Sequence, residues 1–408
     1  MSASWLATTG VVSSLIAAIA AADPTVDIAK APKGAHICTL MHPTRGVGLR
    51  ATPAAEASTA RCPNVLSTKH AHRGSNCCCM WTVGITNVNY ASWTIDSSYN
   101  RGFVHIDFDN QNLLAAAKSL APSTIRFGGG GNDYLSYQPY SNCNSSADND
   151  DFVCLNTTHW NSLYNWANAS GTEFIFGISY DFVAACAQKS AYVWKPDQAI
   201  SMVKYIQSQK QTIWGFELGN EVNNRQKSCN TTGGQQAAAF KLFKSEVLDK
   251  LYPDEASRPR LIGPDVGFLD PELFLGDFLG NFSDLYAVTY HVYSWLQRRN
   301  YDFIMPIDNS LRDGEGWYPG MVHTKAPQAQ VWAGEDGPIS GGEDGTCGGK
   351  FGNGSSTGNS VCGTYATVPW YANDLGSRAV LGFSQYLLWL NFHQTKQVLI
   401  LQEPWDSP

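Results

Sequence analysis

The sequence is short of charge. Only 15% of its 408 residues are Asp, Glu, Lys or Arg, and 28 basic residues face 35 acidic ones, for a formal charge of -7. A chain with so few cations and no dense Lys/Arg run lacks the electrostatic footprint that nucleic acid or an anionic membrane surface requires. Long apolar runs are missing after residue 22, where no stretch reaches the ~18 uninterrupted residues that cross a bilayer. Metal-site spacing is missing too. Eleven cysteines show neither CxxC…CxxC nor CxxC…HxxxH, so no zinc site is expected. No repeat of fixed period recurs.

Apolar residues are plentiful, at 43%, with 13 Trp, 18 Tyr and 18 Phe. That excludes a disordered chain and is too evenly spread for a polytopic membrane protein. The length allows two or three domains, or one large α/β barrel with extras, and it is enough to bury a substantial core. Aromatic clefts suit sugar rings, although most aromatics are core.

An odd number of cysteines leaves at least one unpaired or paired between chains. The run Cys77-Cys78-Cys79 is too tight to form a tetrahedral site. Cys143 with Cys154, and Cys347 with Cys362, sit in Gly/Asn/Ser-rich loops and are expected to form local disulfides, which need an oxidising compartment. Sequons at Asn144, Asn156, Asn168, Asn230, Asn281 and Asn353 point the same way. Residues 1–22 resemble a signal, with an apolar stretch and small residues at Ala18, Ala20 and Ala22 but no basic start. The expected location is the secretory pathway, extracellular or in a lysosome- or vacuole-like compartment. Cleavage and retention as an anchor both stay open, so loose membrane association is carried as an expectation. The residues leave the oligomeric state undefined.

Residues 23–86 have no sustained period and read as an irregular lead. From Asn87 onward, strands alternate with helices: NVNYASWTID, STIRFGG, EFIFGISYD, TIWGFELGNE, RPRLIGPDVG, DLYAVTYHVYSW, QAQVWAGED and GFSQYLLWL are strands. Helices are expected over DNQNLLAAAKSLAP, capped by Asp109 or Asn110, over QQAAAFKLFKSEVLDKLY and over TVPWYANDLGSRAVL, among others. Eight such units predict a (β/α)8 barrel over 87–390. The tail, 391–408, is weakly patterned, and KQVLILQ reads as a strand as readily as a helix. With no amphipathic helix after strand eight, its apolar outer face is expected to lie uncovered.

Chemistry in such a barrel sits at the strands' C-terminal ends. Those ends carry Asp96, then Arg126 with Gly128 to Gly131, then Tyr180 and Asp181, then Asn220 and Glu221. Asp265, His291 with Tyr293, and Glu335 with Asp336 follow. A purely structural barrel has no need of so many polar ends. Glu221 and Glu335, on strands four and seven, face each other across the mouth. Glycoside hydrolysis needs such a pair, one to protonate the leaving oxygen and one to attack, and a separation of ~5 Å marks a retaining enzyme. Asn220 is placed to bond a sugar 2-hydroxyl. Either glutamate alone would read more readily as a helix-start residue favoured by the dipole; both at those two ends favour catalysis. Gly128–Gly131 follows a strand with no helix opening directly after it, so Gly130 is read in a sugar-side backbone loop rather than a phosphate cradle. GTCGGK (345–350) fails the P-loop spacing, and Asp148, Asp150 and Asp151 lack the calcium-loop pattern. No cofactor or metal is expected.

RFGGGGNDYL (126–135), WGFELGNEVNN (214–224), HVY (291–293) and VWAGEDGPISGG (331–342) resemble heparanase and related β-glucuronidases, glycoside hydrolase family 79. The resemblance covers about residues 92–382. It implies Glu221 as acid/base and Glu335 as nucleophile, and sugar contacts from Asp96, Asn220, His291 and Tyr293. It further implies that backbone amides near Gly341 and Gly342 bind a uronic carboxylate, and that the partner is an oligo- or polysaccharide. Leu388-Trp389 stand where the family carries Arg-Gln, and most of the family's C-terminal β-sandwich is expected to be lacking. The alternative is a catalytically inactive carbohydrate-binding relative or a non-functional truncated product.

Overall fold

The computed structural model describes residues 86–97, 106–138, 143, 153–225, 229–293, 316–337, 367–390, 392–395 and 398–401. The signal-like segment and nearly all of the irregular lead therefore lie outside the described residues, as do Cys347, Cys362, Gly341, Gly342, Asn144 and Asn353.

Eight strands close on themselves: β1 (Ala91–Asp96), β2 (Thr124–Gly128), β3 (Glu173–Ile178), β4 (Gly215–Leu218), β5 (Arg260–Val266), β6 (Ala287–Tyr293), β7 (Gln330–Gly337) and β8 (Gln385–Leu390). Each pairs in parallel with its sequence neighbours, and β8 pairs with β1 to complete the barrel. The strands are near-continuous apolar runs because both faces are buried. Around them run α1 (Gln111–Ser119), α2 (Thr157–Ser170), α3 (Phe182–Gln188), α4 (Asp197–Ser208), α5 (Gly233–Leu242), α6 (Pro271–Asn281), α7 (Trp317–Lys325) and α8 (Thr367–Leu381). The fold is a (β/α)8 barrel, as the strand–helix alternation predicts.

Local chemistry sets the helix starts. Of the two caps left open for α1, Asn110 is the one used: its side chain accepts from the N–H groups of Asn112 and Leu113. Asn156 caps α2 by accepting from His159, and Thr232 with Gln235 forms a reciprocal capping box at α5. The single helix expected over 235–252 departs from regularity. Beyond Leu242 it widens into a π-helical stretch, Phe243–Leu248, which brings Phe243, Val247 and Leu248 into the core.

Side chains alternate across each strand. Outward, Phe127, Phe174, Phe176 and Phe216 pack with Trp160, Leu163 and Trp166 and the rest of the helical layer. Inward, a midlayer of Ile175, Ile262, Ala287, Trp332 and Leu387 plugs the lumen. Below it the floor is polar, where Gln385 Nε2 donates to Asn89 O and Ser92 Oγ, both at 2.7 Å. There Arg260 also stacks over Trp214 at 4.3 Å. Above the midlayer the lumen is charged.

One expectation about the end of the barrel is corrected. Strand eight does not present a bare apolar face over Gln385–Leu387. Tyr386 points outward but is fully buried beside Tyr90 and Tyr371, and its hydroxyl donates to Asp374 Oδ2 of α8 at 2.8 Å. The helix that precedes β8 covers this residue. In the tail, of the two readings left open for KQVLILQ the strand is the one found: Phe392–Thr395 and Val398–Leu401 form an antiparallel hairpin.

Candidate active site

Strand alternation carries six charged or titratable side chains inward at the mouth, and all are buried: Asp96 (β1), Arg126 (β2), Glu217 (β4), Asp265 (β5), His291 (β6) and Glu335 (β7). Arg126 is the hub. Its Nε donates to Glu217 Oε2 at 2.6 Å and its Nη1 to Glu335 Oε2 at 2.9 Å. Its Nη2 donates to Asn220 Oδ1 at 2.9 Å and Asp265 Oδ2 at 3.2 Å. Burial alone would lower the guanidinium's pKa, but Asp265, Glu217 and Glu335 outweigh that and hold it above its ordinary value. Its fixed fork of donors lets one cation orient four acceptors on three strands and the β4 loop.

Glu335 takes a second bond from the Tyr293 hydroxyl on Oε1. Burial, then Glu335 itself, pushes the Tyr293 phenol well above its usual range, so it stays a donor. A register irregularity between Tyr290 and His291 sets His291 opposite Glu335. His291 Nδ1 lies 3.1 Å from Glu221 Oε1 and Nε2 lies 3.3 Å from Asp265 Oδ1. Burial would depress this imidazole, but Glu335, Asp265 and Glu221 lift it to about 10. It is a cation at neutral pH, and both nitrogens donate.

Glu221 is placed by its backbone. It sits just past β4 in the left-handed region, at φ 48, and its N–H donates to Asp265 O at 2.9 Å. Asp265 is also left-handed, at φ 57. Such conformations are costly for residues other than glycine and gather at functional sites. The following asparagines fasten this loop to the β5–α6 loop. Gly267 N–H donates to Asn223 Oδ1 at 2.7 Å, Asn223 Nδ2 donates to Leu269 O at 2.6 Å, and Leu269 N–H donates to Asn224 Oδ1 at 3.0 Å. Asn224 Nδ2 in turn donates to Glu221 Oε2 at 2.6 Å. Oxygens of Glu221 and Glu335 and a nitrogen of His291 come within 4.8 Å of one another. That spacing could hold a cation, yet the Arg126 guanidinium and the Tyr293 hydroxyl already engage both oxygens of Glu335. The donor set is that of a carboxylate pair.

The structure brings together Arg126, Asn220, Glu221, His291, Tyr293 and Glu335. Asp96 ends β1 beside Gly129, whose φ of 109 and lack of a Cβ allow the close approach. Gly130 differs from expectation: a 3₁₀ turn, Gly130–Tyr134, opens directly at it. Asp336 points away from the mouth, where Arg378 Nε donates to its Oδ2 at 2.9 Å. Cys143 and Cys154 are disulfide-bonded, and so are Cys186 and Cys229, a pair 43 residues apart with no sequence cue. Of the described sequons, Asn168, Asn230 and Asn281 are exposed, Asn156 caps α2, and Asn281 Nδ2 donates to Asp277 O at 2.8 Å.

Three site residues escaped the sequence reading of roles. Asp133 ties strand ends together: its Oδ1 accepts from Tyr180 N–H at 2.7 Å and its Oδ2 from Asn220 N–H at 2.9 Å. Asp265 stood at a strand end without a role. Glu217, a charged residue inside a four-residue buried strand, was the one with a visible signal. A cleft of about 190 Å³ beside β3, lined by Tyr137, Asp181, Tyr192, Trp194 and Lys195 among others, contains neither Glu221 nor Glu335.

A closed parallel barrel with its polar side chains gathered at the C-terminal mouth defines the class, a (β/α)8 protein. Residues 74–376 match the family model described as glycosyl hydrolase family 79, N-terminal domain, and the chain belongs to that family. It is 24% identical over 341 residues to baicalin-beta-D-glucuronidase of Scutellaria baicalensis, taking in 73% of this chain and 62% of that protein. It is 24% identical over 299 residues to heparanase-like protein 3 of Arabidopsis thaliana, taking in 69% of this chain and 53% of that protein. The barrel superposes on a 4-O-alpha-L-rhamnosyl-beta-D-glucuronidase from Fusarium oxysporum 12S with a TM-score of 0.51 and 13% identity, over 76% of this chain and 64% of that one. The match thus spans less than two thirds of each of these proteins.

Proposed function

We propose that the chain is a retaining β-glycosidase acting on β-glucuronides or related β-linked glycans, with Glu221 as acid/base and Glu335 as nucleophile. The approach of their carboxylate oxygens to within 4.8 Å carries this reading. Retaining enzymes hold their two carboxyls ~5 Å apart, whereas inverting ones leave ~6.5–9.5 Å for a water.

Glu335, steadied by Arg126 and Tyr293, attacks the anomeric carbon while Glu221 protonates the departing oxygen. A glycosyl ester on Glu335 results. Glu221, now a carboxylate, takes a proton from water; the water oxygen bonds the anomeric carbon and Glu335 leaves. With Oδ1 held by Arg126, Asn220 keeps its amide N–H₂ to donate to a sugar hydroxyl. The β-glucuronide class is supported by the activities in the names of two relatives. Recognition of the uronic carboxylate by amides near Gly341 and Gly342 rests on resemblance alone. Two disulfides and exposed sequons support a secretory-pathway location.

The test is turnover of an aryl β-D-glucuronide, set against aryl β-glucoside and β-xyloside, with NMR of the first-formed sugar. A β-anomer is expected. An α-anomer overturns the retaining mechanism, and no turnover of any of them leaves a carbohydrate-binding relative without catalysis.

A further inference from the structure

The glycine-rich turn after β2 reaches the ends of β1, β3 and β4. Gly131 lies so close to the end of β1 that a Cβ there would fall 2.4 Å from Ser97 O. The turn Gly130–Tyr134 then carries two buried polar side chains into the barrel wall. Asn132 Nδ2 donates to Phe127 O of β2 at 3.2 Å and to Gly177 O of β3 at 2.6 Å. Asp133, 1% exposed, reaches one strand further. Its Oδ1 accepts from Tyr180 N–H just past β3, and its Oδ2 from Asn220 N–H just past β4. The β3–β4 ladder ends here. Gly219 N–H still donates to Ile178 O at 2.9 Å, whereas Glu221 N–H has turned to Asp265 O of β5. Asn220 N–H falls between the two, and Asp133 supplies its acceptor. A carboxylate accepts from both N–H groups, one on each oxygen; an amide has one oxygen and would turn its N–H₂ toward the second donor. Bonds from N–H to a charged acceptor are also about twice as strong as neutral ones.

Asn220 is thus fixed at two points. Asp133 holds its backbone N–H, and Arg126 Nη2 donates to its Oδ1 at 2.9 Å. We infer that Asp133 is a positioning residue for sugar recognition: through the Asn220 N–H it fixes where the Asn220 amide stands, and so sets how strictly the glycone must carry a free hydroxyl beside its anomeric carbon. The identity of that hydroxyl rests on the glycosidase reading. A site built to bond a hydroxyl rejects the analogue that lacks it, because its own polar group is then left unpaired. The rejection depends on a donor that cannot swing away to another partner. Asp133 from the backbone side and Arg126 from the side-chain side deny Asn220 that movement.

The test is a ratio. kcat/KM is measured for an aryl β-D-glucuronide, or whichever aryl β-glycoside wild type prefers, and for its 2-deoxy analogue. The proteins are wild type, Asp133→Ala, Asn220→Ala and the double variant. Asp133→Ala is expected to lower the 2-hydroxy to 2-deoxy ratio by about tenfold or more, Asn220→Ala by at least as much, and the double variant no further than Asn220→Ala alone. A merely structural role lowers both rates alike, so an unchanged ratio in Asp133→Ala overturns the inference. So does a ratio in the double variant that falls by the product of the two single effects. If Asp133→Ala does not fold, Asp133→Ser, which keeps a hydroxyl at the site but lacks a second acceptor oxygen, decides on the same ratio. Failure of the glycosidase reading shows separately, as wild type that hydrolyses no glycoside. The ratio is then taken from the dissociation constants of methyl β-D-glucuronide and its 2-deoxy analogue by calorimetry, with the same expectation. A chain that binds neither sugar overturns this inference as well.

Discussion

Glu221 and Glu335 meet within 4.8 Å across the mouth, and the first is the more exposed of the two, 24% against 8% at the side chain. Glu335 is held by side chains, with Tyr293 on one oxygen and Arg126 on the other. Glu221 takes His291 Nδ1 on one oxygen and Asn224 Nδ2 on the other, and its loop is stitched to the next by Asn223. The proposed nucleophile is locked in orientation, and the proposed acid is left reachable by leaving groups and by water.

Glu335→Gln should abolish turnover, by about 10³-fold or more, because an amide cannot form the glycosyl ester. Its oxygen can still accept from Arg126, so the melting temperature should shift by only a few degrees. Steady-state kinetics and thermal melting check both; near-normal turnover ends the assignment.

Glu221→Ala should lose most activity on substrates whose leaving groups need a proton and least on activated aryl glycosides. Azide should restore part of it, with a glycosyl azide as product. An equal loss on good and poor leaving groups contradicts the acid role.

Asn223→Ala should cost about 3 kcal/mol of stability, since it leaves the buried Gly267 N–H and Leu269 carbonyl without their partner. It should also lower kcat more for poor leaving groups than for good ones, because the stitched loop aims Glu221. Urea melts and a leaving-group series measure the two effects. A stable variant with unchanged kinetics refutes the role given to the stitch.

Stability should fall on the alkaline side. Glu217 is raised from 4.5 to about 8, so the folded chain keeps a proton that the unfolded chain has released, and folding weakens as pH rises between those values. Asp374, raised by burial from 3.8 to about 6, acts likewise in its own range. His291 is raised from 6.5 to about 10, so its contribution is complete below 6.5 and lost as pH climbs through 10. Asp265 has the opposite sign and loses its contribution in acid. The melting temperature should peak in mild acid and drop by about 5 °C or more between pH 6 and 10. A curve flat over that span contradicts the charge assignments.

The barrel was legible because its signals are long and repeated: eight apolar runs separated by capped helices leave few topologies. The mouth was legible through position, since Arg126, Asn220, Glu221, His291 and Glu335 fall at strand ends and parallel strands all end on one side. What stayed hidden was contact between distant segments. Nothing in the local sequence says that Asp133, inside a glycine-rich turn, will hold the N–H groups of Tyr180 and Asn220. Nor does anything there say that Cys186 and Cys229 will meet. The expected bare face of strand eight failed for a related reason. Periodicity looked for a cover after the strand, whereas Tyr386 is covered by α8, which comes before it.

Barrel closure has a practical side for anyone attaching a handle to this molecule. Because β1 and β8 are parallel neighbours, the chain rises into β1 from the floor and leaves β8 at the mouth, with the hairpin beginning two residues after Leu390. A reporter or surface tether spliced ahead of β1 therefore joins at the floor, at the opposite end of the barrel from Glu221 and Glu335. The same cargo spliced directly behind β8 stands at the doorway, on the side of the barrel where Glu221 and Glu335 lie.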